Sequence, residues 1–587
     1  MERKKALFEK PAKKQKKEFK NIFEKEAYKQ EHETTSHNGS LKYDTSGNIF
    51  IDDFANLSRY LDPRDINDVF ADMNLLWKED ALTALKIQGY IRGITRQPYF
   101  NGEKLSTFRA QGLKNEARLR LLWIALYKTK TYKKNLPVFI AEGSWKDLFI
   151  ILELMLSYKG LGATKHTSWH YTLDFIIQGL KDPKQSELVK KFLPTIRPIK
   201  EGMSLHRQCS SFIGKQLAIK LFDGWEKSIA YKKYRQLKAS GTAHTFQQLI
   251  SKGDYQGLTE IFDKIPGKAL TVLTSDRTYL YDQGRKYIAA CGDNFISRHN
   301  LDKQYIDWIN KQSTAKFTGY PFELFKNSSK LNKFQKLTIN KQFETLLNTT
   351  KQDMTTKSNF ICCIDTSGSM QSEVRGTNMT SFGVAFAMGL YFSELLTGKF
   401  ANTFLEFHSS VRICNFEGDS YLDKYNNAIN KCGYYGSTNF LGVAELFVKL
   451  KEQGYSESDF PSGVICISDG EFDSYGTNKV STFKRFKQIL RGGGFSDEFV
   501  DNFTIVLWDI PNGYYSKDKE RQKFESFADE KNFFYMAGFD GAAMAFLTGT
   551  EKQTVIPKTP EELFDAAMNQ ELLLKLTIKK KKSQIRN

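Results

Sequence analysis

The 587-residue chain is predicted to join an N-terminal α-helical repeat domain to a C-terminal doubly wound α/β domain. Two changes of pattern along the chain predict this. Up to about residue 310, apolar residues recur at helical spacing and strand alternation is scarce, whereas beyond residue 356 short apolar runs alternate with amphipathic stretches. Charge changes at the same place. Residues 1–355 carry 60 basic and 38 acidic side chains, residues 356–575 carry 21 and 29, and the last twelve residues add five positive charges, within a total of +19.

Residues 1–45, lysine-rich and then polar, read as a basic, disordered or partly helical arm. From 46 to 355 the pattern predicts helical repeats ending in a connector. Ala81, Leu82, Leu85, Ile91 and Ile94 form one apolar face, Leu119, Leu122, Trp123 and Leu126 a second, and Leu148, Leu152 and Met155 a third. Helical spacing continues at 171–180, 212–222, 225–239, 246–250 and 258–265, with stops at Pro98, Gly143, Pro183 and Pro194. Helix pairs that cannot bury their apolar stripes alone suggest HEAT-like stacking. Residues 312–356 are polar and read as the connector.

The α/β domain is expected over 356–575. Its strands are predicted at 360–364, 403–407, 463–468, 503–508 and 532–536, and its helices at 382–396, 440–450, 480–490, 519–528 and 561–576. Residues 576–587 form a second basic tail.

Candidate ligands sit at the ends of the predicted strands. Asp365, Ser367 and Ser369 follow the first strand in D-x-S-x-S spacing, Thr438 precedes the 440–450 helix, and Asp469 closes the 463–468 strand. Open α/β sheets bind ligands at the carboxyl ends of their strands, and hard cations take oxygen ligands. These five residues are therefore expected to hold a divalent cation, Mg²⁺ with Mn²⁺ as the alternative. Ordinary strand-end turns and a helix cap are the competing explanation.

The excess of Lys and Arg outside the metal-site domain points to a polyanionic partner, nucleic acid before membrane, because clustered cations gain affinity by releasing counterions from phosphates. Seven cysteines without a C-x-x-C pair argue against a disulfide framework or a zinc site. No apolar run reaches membrane-span length and the N-terminus lacks a signal-peptide core, so a soluble, cytoplasmic protein is expected. H-E-x-x-H, P-loop and G-x-S-x-G motifs do not occur, and His408 at a strand end reads as structural, so no enzyme activity is expected.

The five-residue ligand set resembles the metal-ion-dependent adhesion site of von Willebrand factor A domains. A helical-repeat domain followed by such a domain resembles the Ro autoantigen family with its TROVE module. Further segments are similar to that family: Trp77-Lys78-Glu79-Asp80 with Ala84-Leu85 and Tyr90-Ile91-Arg92, Gly143-Ser144-Trp145-Lys146-Asp147-Leu148, Tyr231-Lys232-Lys233-Tyr234-Arg235, and Ser468-Asp469-Gly470-Glu471-Phe472-Asp473. The resemblance implies a monomeric ring of helical repeats with a basic hole. It also implies binding of small structured RNAs and of single-stranded ends of misfolded RNAs, in RNA quality control or ribonucleoprotein assembly, with a protein partner such as an exoribonuclease at the metal site. Arg92, Arg96, Arg118, Arg120, Lys146, Lys232, Lys233 and Arg235 are candidate phosphate contacts. A metal-dependent protein-interaction scaffold is the alternative function, and a metal-dependent nuclease the third.

Overall fold

The computed structural model describes residues 21–36, 38–59, 64–240, 245–282, 285–290, 293–311, 314–315, 317, 319–353, 359–374, 377–395, 399–433, 436–474, 480–510, 523–537 and 558–578. The chain divides into two compact units. One is built on residues 63–248 with the segment from 567, the other on 12–62 with 249–566.

The first unit is mostly helical. Its principal helices are α1 (Ile66–Glu79), α2 (Ala81–Arg92), α3 (Lys114–Tyr127), α4 (Thr129–Glu142), α5 (Trp145–Lys159), α6 (Thr167–Lys181), α7 (Leu205–Leu221) and α8 (Lys227–Ala239). Local chemistry sets several of their starts. The Asp80 carboxylate accepts from the Leu82 N–H at 2.9 Å to cap α2, and Ser144 with Asp147 forms a capping box at α5. Leu85, Ile91, Leu122, Trp123, Leu148, Leu152 and Met155 of the three predicted apolar faces are buried, whereas Leu82 is exposed and Ala81, Ile94 and Leu119 are half-buried. A strand pair, Ile94–Arg96 with Phe108–Gln111, interrupts the helices between α2 and α3. From the chain's end, Thr577 exchanges two hydrogen bonds with the Asn135 side chain, at 2.8 and 3.0 Å. The basic tail beyond 578 lies outside the described residues.

Inside this unit runs a charged network. Asp147 accepts from Arg92 Nε at 2.9 Å and from Arg118 Nε at 2.8 Å, while Glu116 accepts from Arg120 at 3.1 Å and from Arg64 at 3.3 Å. Burial alone would push the Asp147 carboxyl up, but the two guanidinium groups override it and hold it below its ordinary range.

The second unit holds a six-stranded sheet: β1 (Phe360–Asp365), β2 (Thr403–Phe407), β3 (Val411–Asn415), β4 (Gly463–Ser468), β5 (Thr504–Asp509) and β6 (Phe533–Ala537), in spatial order β3-β2-β1-β4-β5-β6. All pairings are parallel except the β2–β3 hairpin at the edge. Alternate residues of β1 feed two cores. Cys362 and Ile364 join the layer under α9 (Ser381–Leu395) and α10 (Tyr421–Lys431), while Ile361 and Cys363 join the layer under α11 (Leu441–Glu452) and α12 (Thr482–Gly492). Helices on both faces explain why β1 and β4 are apolar almost throughout.

Several expectations are corrected here. Residues 249–353, expected with the helical repeats, cluster with the sheet, because the helix Lys333–Asp353 sends Phe343 and Leu347 into its core. The arm to residue 45, expected to be disordered or partly helical, contains among its described residues the helix Ile22–Glu31 and also the hairpin Glu33–Thr35/Leu41–Tyr43, which was not expected. Lys25 and Lys29 anchor that helix to Asp529 and Glu530, and Tyr43 exchanges backbone hydrogen bonds with Phe524 at 2.8 Å. That exchange is also why 523–528 is not helical, where a helix over 519–528 was expected; 519–522 lies outside the described residues.

Replacing Asp147 by Ala should strand Arg92 and Arg118 as buried charges and remove the α5 cap. The expected loss is about 3–5 kcal/mol of unfolding free energy, measured by urea denaturation of the full chain. A loss under about 1 kcal/mol would mean the network behaves like a solvated surface pair.

Candidate functional site

β1 ends in Asp365, and the backbone then turns sharply through Ser367 into the short helical turn Gly368–Gln371. The turn is held by the Asp365 side chain, whose Oδ1 accepts the Ser367 N–H at 2.8 Å. Its other oxygen accepts the Ser468 hydroxyl, from the end of β4, at 2.5 Å. The hydroxyls of Ser367 and Ser369 lie 3.2 Å apart. Thr366 points the other way, with its N–H on the Phe407 carbonyl at 2.9 Å and its hydroxyl on Glu406 at 3.2 Å.

The remaining candidates arrive on two neighbouring loops. β1 and β4 are adjacent and parallel, with Ile364 opposite Ile467, so the chain leaves both strands at the same edge. Asp469 follows there, and its Oδ1 accepts the Glu471 N–H at 3.3 Å. The turn bearing Thr438 is tied to this loop twice: its N–H donates to Asp473 Oδ1 at 3.0 Å, and its carbonyl accepts the Asp473 N–H at 3.1 Å. Asp365, Ser367, Thr438 and Asp469 are all buried, and Ser369 is half-buried.

The electrostatics are unfavourable to two ionised carboxylates. Burial first, and then the negative charge of Asp469, push the Asp365 carboxyl up from 3.8 to about 7, against the pull of the Ser468 and Ser367 hydrogen bonds. Two carboxylates held this close in a poorly solvated pocket cost free energy, which a divalent cation offsets. The donor set is oxygen only, two carboxylates and three hydroxyls, and suits Mg²⁺ better than a thiophilic ion. The residues therefore fit such an ion, and the Asp365–Asp469 repulsion is the feature that argues for it.

Sequence reasoning missed the residues that brace these loops. Lys42, from the N-terminal hairpin, donates to the Gly470 carbonyl at 2.5 Å and lies 3.7 Å from Glu525. Gly470 sits in the left-handed region at φ +74, which frees its carbonyl for that contact. Asn38 donates to the Glu471 carbonyl at 2.6 Å. Burial pushes the Glu525 carboxyl up to about 7, with Lys42 opposing and Glu471 reinforcing the shift. A lone basic residue in a lysine-rich arm carries no local signal that could have identified it.

In the helical unit, the eight candidate phosphate contacts separate into two groups. Arg92, Arg118 and Arg120 belong to the internal network, and Arg120 is fully buried. Arg96 donates to the carbonyls of Ala141 and Gly143 at 2.7 and 3.0 Å, and burial lowers its basicity. These four direct donors to protein acceptors, Arg92, Arg118 and Arg120 to carboxylates and Arg96 through Nη2 to the two carbonyls, while Arg96 Nε is buried without a hydrogen-bond partner. Lys146, Lys232 and Arg235 are exposed, and the Lys233 ammonium sits 3.6 Å over the ring of Trp225, itself 53% exposed. An open groove of about 1110 Å³ also lies in this unit, lined by Tyr99, Phe100, Trp145, Phe175, Lys184 and Gln185 among others.

A family model described as a domain of unknown function, DUF7788, matches residues 359–585, beginning at the foot of β1. Among solved structures, this chain is similar to the Ro (RSR) protein of Deinococcus radiodurans, at 14% identity over 85% of this chain and 99% of that one, with a TM-score of 0.31. A TM-score that low carries no weight for fold or function. No curated protein matches. Among the described residues, no helix is long and apolar enough to cross a membrane.

Without a bound cation, the folded chain keeps a proton on Asp365 that the unfolded chain has lost between its ordinary value of 3.8 and about 7. Stability of the cation-free protein should therefore fall as pH rises through that window. Asp365→Asn should remove the fall, by up to roughly 4 kcal/mol at pH 8, and should abolish the rise in Tm on adding Mg²⁺. Thermal unfolding at pH 5 and pH 8, with and without Mg²⁺, checks both.

Proposed function

We propose that this protein binds RNA through its helical unit and holds a divalent cation at the strand ends of its sheet unit. The observation that carries the reading is the cationic, aromatic face at the start of α8. Lys232 and Arg235 are exposed, and Trp225 offers a solvent-facing ring with Lys233 over it. Such a pairing of stacking surface with phosphate-seeking charge serves unpaired bases of any sequence. Residues 63–248 carry 31 basic and 16 acidic side chains, and with the arginine network paired internally, the surplus falls largely to surface lysines.

In this reading the helical unit is a HEAT-like, TROVE-type module and the sheet unit a von Willebrand factor A-type domain. The ligands are small structured or misfolded RNAs with single-stranded ends. Asp365, Ser367, Ser369, Thr438 and Asp469 hold Mg²⁺, and the role is binding rather than catalysis. A second reading, a cation-dependent docking scaffold for a protein, is supported by the exposed Gly368 between Ser367 and Ser369, which leaves one side of the loop open to an incoming carboxylate.

Filter binding with a hairpin RNA carrying a single-stranded 3′ extension tests the proposal. Substituting Lys232, Lys233 and Arg235 together by Ala should reduce the log–log salt slope by about 2–3. Trp225→Ala should cost about 1–3 kcal/mol, and only with the extended RNA. Affinity that is flat with salt and untouched by these variants would overturn the RNA reading. An unchanged affinity in excess EDTA would assign the cation to protein docking.

A further inference from the structure

The sheet unit contains a second cluster of ligating atoms, on the opposite side of Thr366 from the candidate Mg²⁺ loop. Glu406 lies on β2, Cys414 on the edge strand β3, and Cys432 follows α10, where its N–H caps the Ala428 carbonyl at 3.0 Å. The hairpin register brings the first two together. Glu406 pairs with Arg412 and Phe404 with Cys414, so all four side chains share one face of the sheet, the face covered by α10. One carboxylate oxygen and the two sulfurs lie within 4.8 Å of one another, and Cys414 Sγ is 3.9 Å from Glu406 Oε2.

The geometry points to a thiophilic cation site, for Zn²⁺, formed by Cys414, Cys432 and Glu406 with a fourth position left to water or an external ligand. Tetrahedral zinc, with bonds of about 2.0–2.3 Å, separates its donor atoms by roughly 3.3–3.8 Å. The cluster therefore needs to contract by only about 1 Å, and its Cys414–Glu406 edge is already near that length. Two thiolates and a carboxylate favour Zn²⁺ over Mg²⁺, which prefers oxygen alone.

The surroundings are those of a built site. Glu406 is fully buried, a costly place for a carboxylate. The Thr366 hydroxyl orients its Oε1 from 3.2 Å, as outer partners of metal-bound carboxylates do. Arg412 binds its Oε2 from the rim, through Nε at 2.8 Å and through Nη2, with a side chain 51% exposed and free to swing outward. With both thiols ionised, the three ligands carry three negative charges, which Zn²⁺ and Arg412 together balance.

Co²⁺ is the probe, added to the full chain under a phosphine reductant with Mg²⁺ in excess to saturate the oxygen site. The expected result is a sulfur-to-cobalt charge-transfer band with tetrahedral ligand-field bands, both displaced by Zn²⁺. Cys414→Ser should lose about half of the charge-transfer intensity, and the double variant with Cys432→Ser all of it. Asp365→Ala should keep it, which separates this site from the Mg²⁺ loop. Because Cys432 is buried and its variant could fail to fold, a second measurement uses the native chain: Zn²⁺ should protect Cys414 and Cys432, and no other cysteine, from alkylation read by mass spectrometry. Absence of the band, its survival in the double variant, or alkylation unaffected by Zn²⁺ would overturn the assignment.

Discussion

The sheet unit is organised around one unfavourable contact, the approach of Asp365 and Asp469 at the ends of adjacent parallel strands. Neither carboxylate is well solvated, and the charge of Asp469 raises the free energy of ionising Asp365. The chain holds this arrangement through hydrogen bonds rather than relieving it. Ser468 bridges β4 to Asp365, the Ser367 N–H fixes the turn, and Asp473 locks the Thr438 turn against the β4 exit. These bonds fix three loops against one another around the two carboxylates.

The N-terminal hairpin belongs to the same device. Lys42 and Asn38 take the carbonyls of Gly470 and Glu471, which otherwise would be free to rotate the loop carrying Asp469. A segment far away in sequence thus sets how firmly the acidic loop is held. The helical unit treats charge in the reverse manner. Arg92, Arg118 and Arg120 are folded inward onto Asp147 and Glu116, where a planar guanidinium satisfies a buried carboxylate, and Lys146, Lys232 and Arg235 are left at the surface. Arg92, Arg118 and Arg120 pair inside the unit, whereas Lys232 and Arg235 stand exposed on α8.

Legibility followed burial. β1 and β4 could be placed to within a residue because a strand covered on both faces must be apolar along its length, and FICCI and GVICIS carry that mark. β3, VRICN, escaped notice because it is a short edge strand in which Arg412 and Asn415 interrupt the apolar run. α10 was also missed, having only Leu422, Tyr425 and Ala428 facing inward. The 519–528 segment has helical spacing, yet at 523–528 backbone pairing with Tyr43 prevails.

What the amino-acid order determined by itself was the D-x-S-x-S turn, the strands that end in Asp365 and before Asp469, and the uneven distribution of charge between the two parts of the chain. Each of these is local: a D-x-S-x-S turn and an apolar strand are complete within a few residues. Tertiary structure alone decided which arginines are buried, that Lys42 braces the acidic loop, and that Cys414 meets Cys432 beside Glu406. Those contacts join segments separated by tens to hundreds of residues, and no periodicity in either partner encodes where the other will lie.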